Sequence, residues 1–311
     1  MKIAFVFPGQ GSQTVGMGKE FYDNFSSARQ VFEEVDDALN QKLSAIIFNG
    51  PTDELTLTAN AQPAIMATSM AILRTLQHET GKKIIDLCQY VAGHSLGEYT
   101  ALCAAEAISL KDTAKLVKLR GLTMQNAVAP GVGSMAAVLG MSLEQIAEIL
   151  KYVNQDGYIC EIANDNCPGQ IVISGHLEAI DLACAQIVTA GSKAIKLPVS
   201  APFHCSLMEP VKEIMEKALS ETKISPAKVP LISNILADGI TDPDHIVNCL
   251  IEQISGMVRW RESILALKEL GVSNITEIGA GKILNGMNKR IADGFNLINI
   301  QSVNDIKTII A

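Results

Sequence analysis

The sequence lacks any C-x-x-C pair, although seven cysteines are spread through its 311 residues (Cys88, Cys103, Cys160, Cys167, Cys184, Cys205, Cys249). An odd, scattered set argues against a disulfide framework and against a structural zinc site, and it fits the reducing cytoplasm. No repeat, low-complexity tract or Pro/Gly/Ser-rich linker divides the chain. The start, Met1-Lys-Ile-Ala-Phe-Val-Phe-Pro8, carries only five apolar residues before a proline. That is too short for the apolar core of a signal peptide and reads as a first buried strand. The uncharged stretches 55–73 and 121–143 are interrupted by prolines and polar residues, so they read as buried core, and no membrane span is expected. Basic residues are the minority. A formal charge of −8 disfavours nonspecific nucleic-acid binding, and an anionic partner then depends on a local basic patch.

What is present is the composition of a globular protein: 48% apolar and 19% charged residues, in a chain long enough to bury a substantial core. Short apolar strands (2–7, 89–92, 230–235, 274–278, 297–301) alternate with helical patterns (27–43, 63–77, 96–107, 111–128, 207–219, 261–270, 283–291). That order implies an α/β fold with a mostly parallel sheet covered on both faces. The middle differs, reading strand 134–139, helix 142–153, strand 158–164, strand 170–174, helix 177–190, strand 193–198. This βαββαβ order is that of a ferredoxin-like unit. The expected organisation is a larger unit, 1–128 and 200–311, with a small unit, 129–199, inserted in it and the site in the cleft between them.

The strongest local signal is Gly93-His94-Ser95-Leu96-Gly97, a G-x-S-x-G elbow that follows a short strand and opens a helix. The glycines permit a sharp turn that exposes the Ser95 hydroxyl, and the helix N-terminus offers N–H groups to a developing oxyanion. A tight turn with a chance serine has the same short pattern. A second loop, Phe7-Pro-Gly-Gln-Gly-Ser-Gln13, directly follows the first strand, where open α/β sheets bind ligands. The backbone N–H groups of Gln10 and Leu96 can form a two-donor oxyanion hole, unless this loop is only a polar glycine turn.

Ser95 needs a base. Of the five histidines, His78 lies among charged residues on a helix, His176 follows a strand end and His245 sits in a polar loop. His94 neighbours Ser95, but adjacent residues at an elbow diverge in direction. His204 stands in a proline-braced loop where the small unit returns to the larger one, and it is the candidate base. Arg120 shares a helix face with Leu116, Val117 and Met124, and no acid lies at i±3 or i±4. An arginine on an apolar face needs an anion, which a substrate carboxylate held by a bidentate fork would supply. A snorkelling arginine or a distant ion pair accounts for it equally well.

These segments, with Asn60-Ala-Gln-Pro-Ala64, Asn164 followed by Pro168-Gly-Gln170, Pro202-Phe-His-Cys205 and Glu277-Ile-Gly279, resemble the malonyl-CoA:acyl carrier protein transacylases over essentially the whole chain. The resemblance implies an α/β-hydrolase-like large subdomain and a ferredoxin-like small one. It implies Ser95 as nucleophile, His204 as base, Gln10 and Leu96 as the oxyanion hole and Arg120 as the malonyl carboxylate anchor. In this family a backbone carbonyl, not an aspartate, orients the histidine, and the matching position is Gln253. His94 and Asn164 match pocket-lining positions. Phe203, where members vary between small and aromatic residues, should narrow the pocket against an α-methyl branch. One departure is Ala280-Gly281, where the family often has Pro-Gly. The implied partners are malonyl-CoA, as substrate, and the phosphopantetheine thiol of an acyl carrier protein. No metal or other cofactor is expected, the product would feed fatty acid elongation, and we take the chain as a monomer. Lys193, Lys196, Lys282, Lys289 and Arg290 are either a basic rim for the carrier or ordinary solvated residues. A thioesterase with the same elbow, a polyketide acyltransferase and a non-catalytic carrier-binding scaffold are the rival readings.

Overall fold

A computed structural model describes residues 1–154, 157–199 and 201–310, with the side chains of residues 309 and 310 left aside. Its ten strands, in chain order, are β1 (Lys2–Phe7), β2 (Tyr90–Gly93), β3 (Gly133–Leu139), β4 (Cys160–Cys167), β5 (Gln170–His176), β6 (Lys193–Lys196), β7 (Leu231–Ile232), β8 (Gly239–Ile240), β9 (Val272–Ile278) and β10 (Asn296–Ile300). Six of them form one sheet in the order β10-β9-β1-β2-β7-β8. All its pairings are parallel except β7 with β8. β1 lies inside this sheet, and its alternation serves both faces. Phe5 and Phe7 enter the core beneath the helices Ser26–Leu39, Thr58–Thr80, Leu96–Ala104 and Leu110–Gln125, while Ala4 and Val6 meet Trp260, Ile264 and Leu284 from the helices on the opposite face.

The remaining four strands form an antiparallel sheet in the order β4-β5-β3-β6. With the helices Leu143–Val153 and Leu177–Thr189, this is the ferredoxin-like arrangement expected from the βαββαβ order. Alternation again decides the faces. Ala136, Val138 and Ile173 pack under the two helices, whereas Met135, Ala163 and Val172 face the larger unit and join its core. The two units are tied at β4: Asp165 N–H donates to Val258 O (2.9 Å), Val258 N–H donates to Ala163 O (2.8 Å), and Arg261 Nε donates to Asp165 Oδ2 (2.7 Å). Ser200 and Ala311, the ends of the second stretch assigned to the larger unit, lie outside the described residues.

Several element ends differ from the sequence-based expectation for physical reasons. The helix expected from Pro63 begins at Thr58, so Pro63 lies inside it. Pro63 is the sixth residue of this helix, past the four donors without an intrahelical acceptor, so it removes one bond, to Ala59 O, a loss that the burial of the rest of the helix outweighs. The strand expected over 230–235 stops after Ile232, because Asn234 leaves the sheet to bind the Ser95 elbow. The strand expected to reach 198 ends at Lys196. β8 was not expected, since two residues carry no readable period. Among the described residues no helix is long and apolar enough to cross a membrane. All seven thiols are free, and only Cys184 is partly exposed.

Candidate active site

Ser95 stands between β2 and the helix Leu96–Ala104, with φ 53° and ψ −112°. This is a sparsely populated backbone conformation for a non-glycine residue, held only where the surroundings over-determine it. The flanking glycines are required by space. A Cβ on Gly93 would lie 1.9 Å from the Gly97 carbonyl, and one on Gly97 would lie 2.3 Å from Phe7 O. The helix is thereby pressed onto the first two strands, and its N-terminus points at the hydroxyl. The Ser95 N–H donates to Asn234 Oδ1 (2.8 Å), and Asn234 Nδ2 donates to Gly93 O (2.7 Å). On the other side Gln253 Nε2 donates to Ser95 O (3.0 Å). The elbow is therefore clasped at both its amide and its carbonyl.

His204 comes to Ser95 from the far end of the small unit: its Nε2 lies 2.7 Å from Ser95 Oγ. Its Nδ1 lies 2.9 Å from Gln253 O. A carbonyl can only accept, so Nδ1 carries the proton and Nε2 is left as an acceptor for the serine hydroxyl. Burial, and secondly the positive charge of Arg120, pull His204 down to about 3, so the resting ring is neutral. His94 does not contact Ser95 Oγ. It is half-buried against Trp260, with ring centroids 5.7 Å apart, and pairs with Asn166 Oδ1 through Nε2 at 2.8 Å. The other histidines lie elsewhere. His78 pairs with Glu79, His176 accepts from the Ile159 N–H, and His245 lies in the helix capped by Asp242.

Arg120 is 1% exposed and reaches the same point. Its Nη2 donates to Ser95 Oγ (3.1 Å) and to Gln253 Oε1 (2.9 Å), and its Nη1 donates to Gln62 Oε1 (2.9 Å). Among the described residues the buried Nε has no partner. All three partners are neutral, so neither snorkelling nor a direct ion pair describes this arginine. Gln10, Leu96, His94, Asn164 and Phe203 join Ser95, His204 and Arg120 around one cavity of about 260 Å³. Among the described residues, the backbone N–H groups of Gln10 and Leu96 find no protein acceptor. They remain able to receive an oxyanion. Among the described residues, no group of three or more His, Cys, Asp or Glu side chains is arranged to hold a metal ion.

Four residues of this site were not assigned roles from sequence. Gln62 holds Arg120, Asn166 holds His94, Asn234 holds the elbow, and Glu98 lies beneath Gln253. Glu98 is fully buried, accepts from Gln253 Nε2 (2.6 Å), and is pushed up to about 7 by burial against the lowering effect of its hydrogen bonds. A carboxylate in a helix whose neighbours are otherwise apolar was a signal for Glu98. Asn166 and Asn234 gave none. Of the basic rim, Lys196 pairs with Asp181, and Arg290 donates to Gln170 Oε1 and Pro168 O.

A serine, a neutral imidazole, two unengaged amides and an anion-seeking guanidinium in one small cavity can perform acyl transfer on a carboxylated acyl group. Comparison with known proteins agrees. The family model described as "Acyl transferase domain" matches residues 4–288. The malonyl CoA-acyl carrier protein transacylase of Bacillus subtilis is 47% identical over 93% of this chain and 90% of its own length. The crystal structure of the acyl-carrier-protein-S-malonyltransferase from Bartonella henselae superposes with a TM-score of 0.97 at 49% identity, covering 99% and 98% of the two chains. A malonyl-transacylase bound to its type II polyketide acyl-carrier protein superposes at 0.95 with 37% identity, covering 100% and 99%. The chain belongs to the acyl transferase domain family, among its malonyl CoA-acyl carrier protein transacylases.

Proposed function

We propose that this protein moves malonyl from coenzyme A to the phosphopantetheine thiol of an acyl carrier protein through an ester on Ser95. The observation that carries the reading is Arg120: a buried guanidinium with only neutral partners, 3.1 Å from the reacting hydroxyl. His204 Nε2 takes the Ser95 proton as Oγ attacks the thioester carbonyl. The oxyanion rests on the N–H groups of Gln10 and Leu96. The C–S bond breaks, and coenzyme A leaves as a thiol with the proton from His204. The carrier thiol then gives its proton to His204 and attacks the ester, and Ser95 recovers the proton. Gln253 O holds the ring in the tautomer both halves need. Every proton has a named carrier, so the reaction calls for no metal or redox cofactor.

The malonyl carboxylate does more than anchor. Arg120 is the second cause, after burial, of the low His204 value. A carboxylate placed on Arg120 cancels that cause, so a malonyl substrate makes the base stronger and an acetyl substrate does not. The malonyl-carrier product supplies elongation in fatty acid synthesis. A cytoplasmic monomer is the proposed working form.

The test is intact mass after mixing with malonyl-CoA or acetyl-CoA, before any carrier is added. Wild type should gain a stable malonyl adduct that Ser95→Ala lacks, with little acetyl adduct. Arg120→Ala should lose malonyl adduct formation by about a hundredfold, the scale of a charge-assisted hydrogen bond pair. Steady release of coenzyme A with no adduct would instead identify a thioesterase.

A further inference from the structure

Among the described residues no carboxylate touches Arg120, yet a carboxylate lies one residue behind it. Glu98 is 0% exposed, and its Oε2 accepts from Gln253 Nε2 at 2.6 Å, while Gln253 Oε1 accepts from Arg120 Nη2 at 2.9 Å. The amide of Gln253 therefore spans a buried carboxyl group, an anion above about pH 7, and a buried cation, with its dipole aligned to both. Turned over, it would present its amino group to the guanidinium and its oxygen to the carboxylate, two repulsive contacts in a low-dielectric interior. The Gln253 backbone carbonyl, which serves His204, takes no part in this bridge.

Resting on the malonyl-transfer reading above, we propose that Glu98 is a positioning residue: through the Gln253 side chain it aims Arg120 at the cavity and so sets the preference for carboxylated acyl groups. The argument is one of fixed geometry. Arg120 has two side-chain anchors besides Ser95, the oxygens of Gln62 and Gln253. Gln62 places Nη1, and only Gln253 places the Nη2 that also reaches Ser95 Oγ. Among the described residues Glu98 is the one anionic partner of Gln253, and a charge-assisted bond of this length is about twice as strong as a neutral one. If Glu98 is lost, Gln253 Nε2 keeps only its bond to Ser95 O, and the amide aims Nη2 less firmly. Malonyl should suffer, since it needs that direction. Acetyl, with no carboxylate to place, should suffer less.

The decisive quantity is the ratio of malonyl to acetyl acylation rates of Ser95, read by intact mass in single turnover. Glu98→Gln keeps the shape and one acceptor but removes the charge. Its two neighbours here, Gln253 Nε2 and the Asn234 N–H, are both donors, so one end of the new amide is mismatched. The ratio is expected to fall about tenfold, the scale of one hydrogen bond to a charged group. In a Gln253→Ala background, which leaves the backbone carbonyl on His204, the same change should leave the ratio where it stands. Melting curves identify folded variants, and Glu98→Asp, charged but too short to reach Gln253, replaces Glu98→Gln in the cycle if the latter does not fold. An equal loss of both acyl groups, an unchanged ratio, or an equal fall in both backgrounds would overturn the proposal. A wild-type chain that takes up neither acyl group is distinguishable from these outcomes. It would overturn the malonyl-transfer reading, and this proposal with it.

Discussion

Among single residues, His204 carries the clearest pH consequence. With the ring held near 3 by burial and Arg120, the free enzyme keeps its base in the neutral form throughout the physiological range. Single-turnover acylation at limiting acetyl-CoA, which has no carboxylate for Arg120 to place, should therefore show no step from His204 at the ordinary histidine value of about 6.5. Stability should behave in the opposite way. A depressed folded-state value means that the unfolded chain binds a proton here which the folded chain refuses, so stability falls as pH drops from about 6.5 toward 3. His204→Gln should shrink the loss of melting temperature between pH 6.5 and 4, which a pair of thermal melts would read. Phe203, 8% exposed in the cavity wall, bears on selectivity. Phe203→Ser should raise methylmalonyl acylation relative to malonyl by about tenfold, the scale of one methylene in a pocket. No change in that ratio would show that the branch is excluded elsewhere.

The elbow is a property of elements, not of Ser95 alone. β2 and the helix Leu96–Ala104 meet at a crossing with no room for a Cβ at either flanking glycine, and Asn234 and Gln253 hold the serine backbone on its two sides. Gly97→Ala must push the helix off Phe7 O and should abolish acylation, with a lowered melting temperature. Asn234→Ala makes the sharper experiment, because it removes the two bonds to Ser95 N and Gly93 O without adding bulk. It should slow acylation about a hundredfold, the cost of a small misplacement of a reacting group, and destabilise by about 1–3 kcal/mol for the donor left unpaired. Rates for malonyl and acetyl should fall together, in contrast to the changes at Glu98.

At the scale of the whole molecule, the cavity exists because the ferredoxin-like unit is seated against the α/β unit, with β4 lying on the helices Trp260–Glu269 and Ile283–Ile291. β4 contributes a two-bond bridge to Val258 and the ion pair of Asp165 with Arg261. The Asp165 side chain is 1% exposed and that of Arg261 is 30% exposed. Removing the arginine thus strands a buried carboxylate, whereas removing the acid frees a cation that water can reach. Arg261→Ala should cost about 2 kcal/mol, below the range for a wholly buried pair because water screens one partner. Arg261→Ala with Asp165→Asn should recover part of that loss, and chemical denaturation would read both. Equal stability of the single and double variants would show that the charge is not what matters.

The chain itself, read without coordinates, determined the alternating α/β order, the βαββαβ insert and the two glycine loops. Each of these is a local pattern: period two in β1, helical period in Leu110–Gln125, turn chemistry around Ser95. Arg120 was legible for the same reason, as a charge on an apolar helix stripe. Its contacts with Gln62 and Gln253, and the supports at Glu98 and Asn234, were not; the resemblance gave Gln253 only as the residue that orients His204. These four come from separate stretches, and nothing in the spacing of any one stretch requires the others. Only packing the helix Leu96–Ala104 between the sheet and the segment that follows Pro243–Glu252 brings Glu98, Gln253 and Arg120 into one line. The pairing of His204 with Ser95, 109 positions apart, likewise depends on the small unit folding back before the chain returns. Local propensity writes the elements, and long-range burial of polar groups, each of which must find a partner, decides which side chains meet.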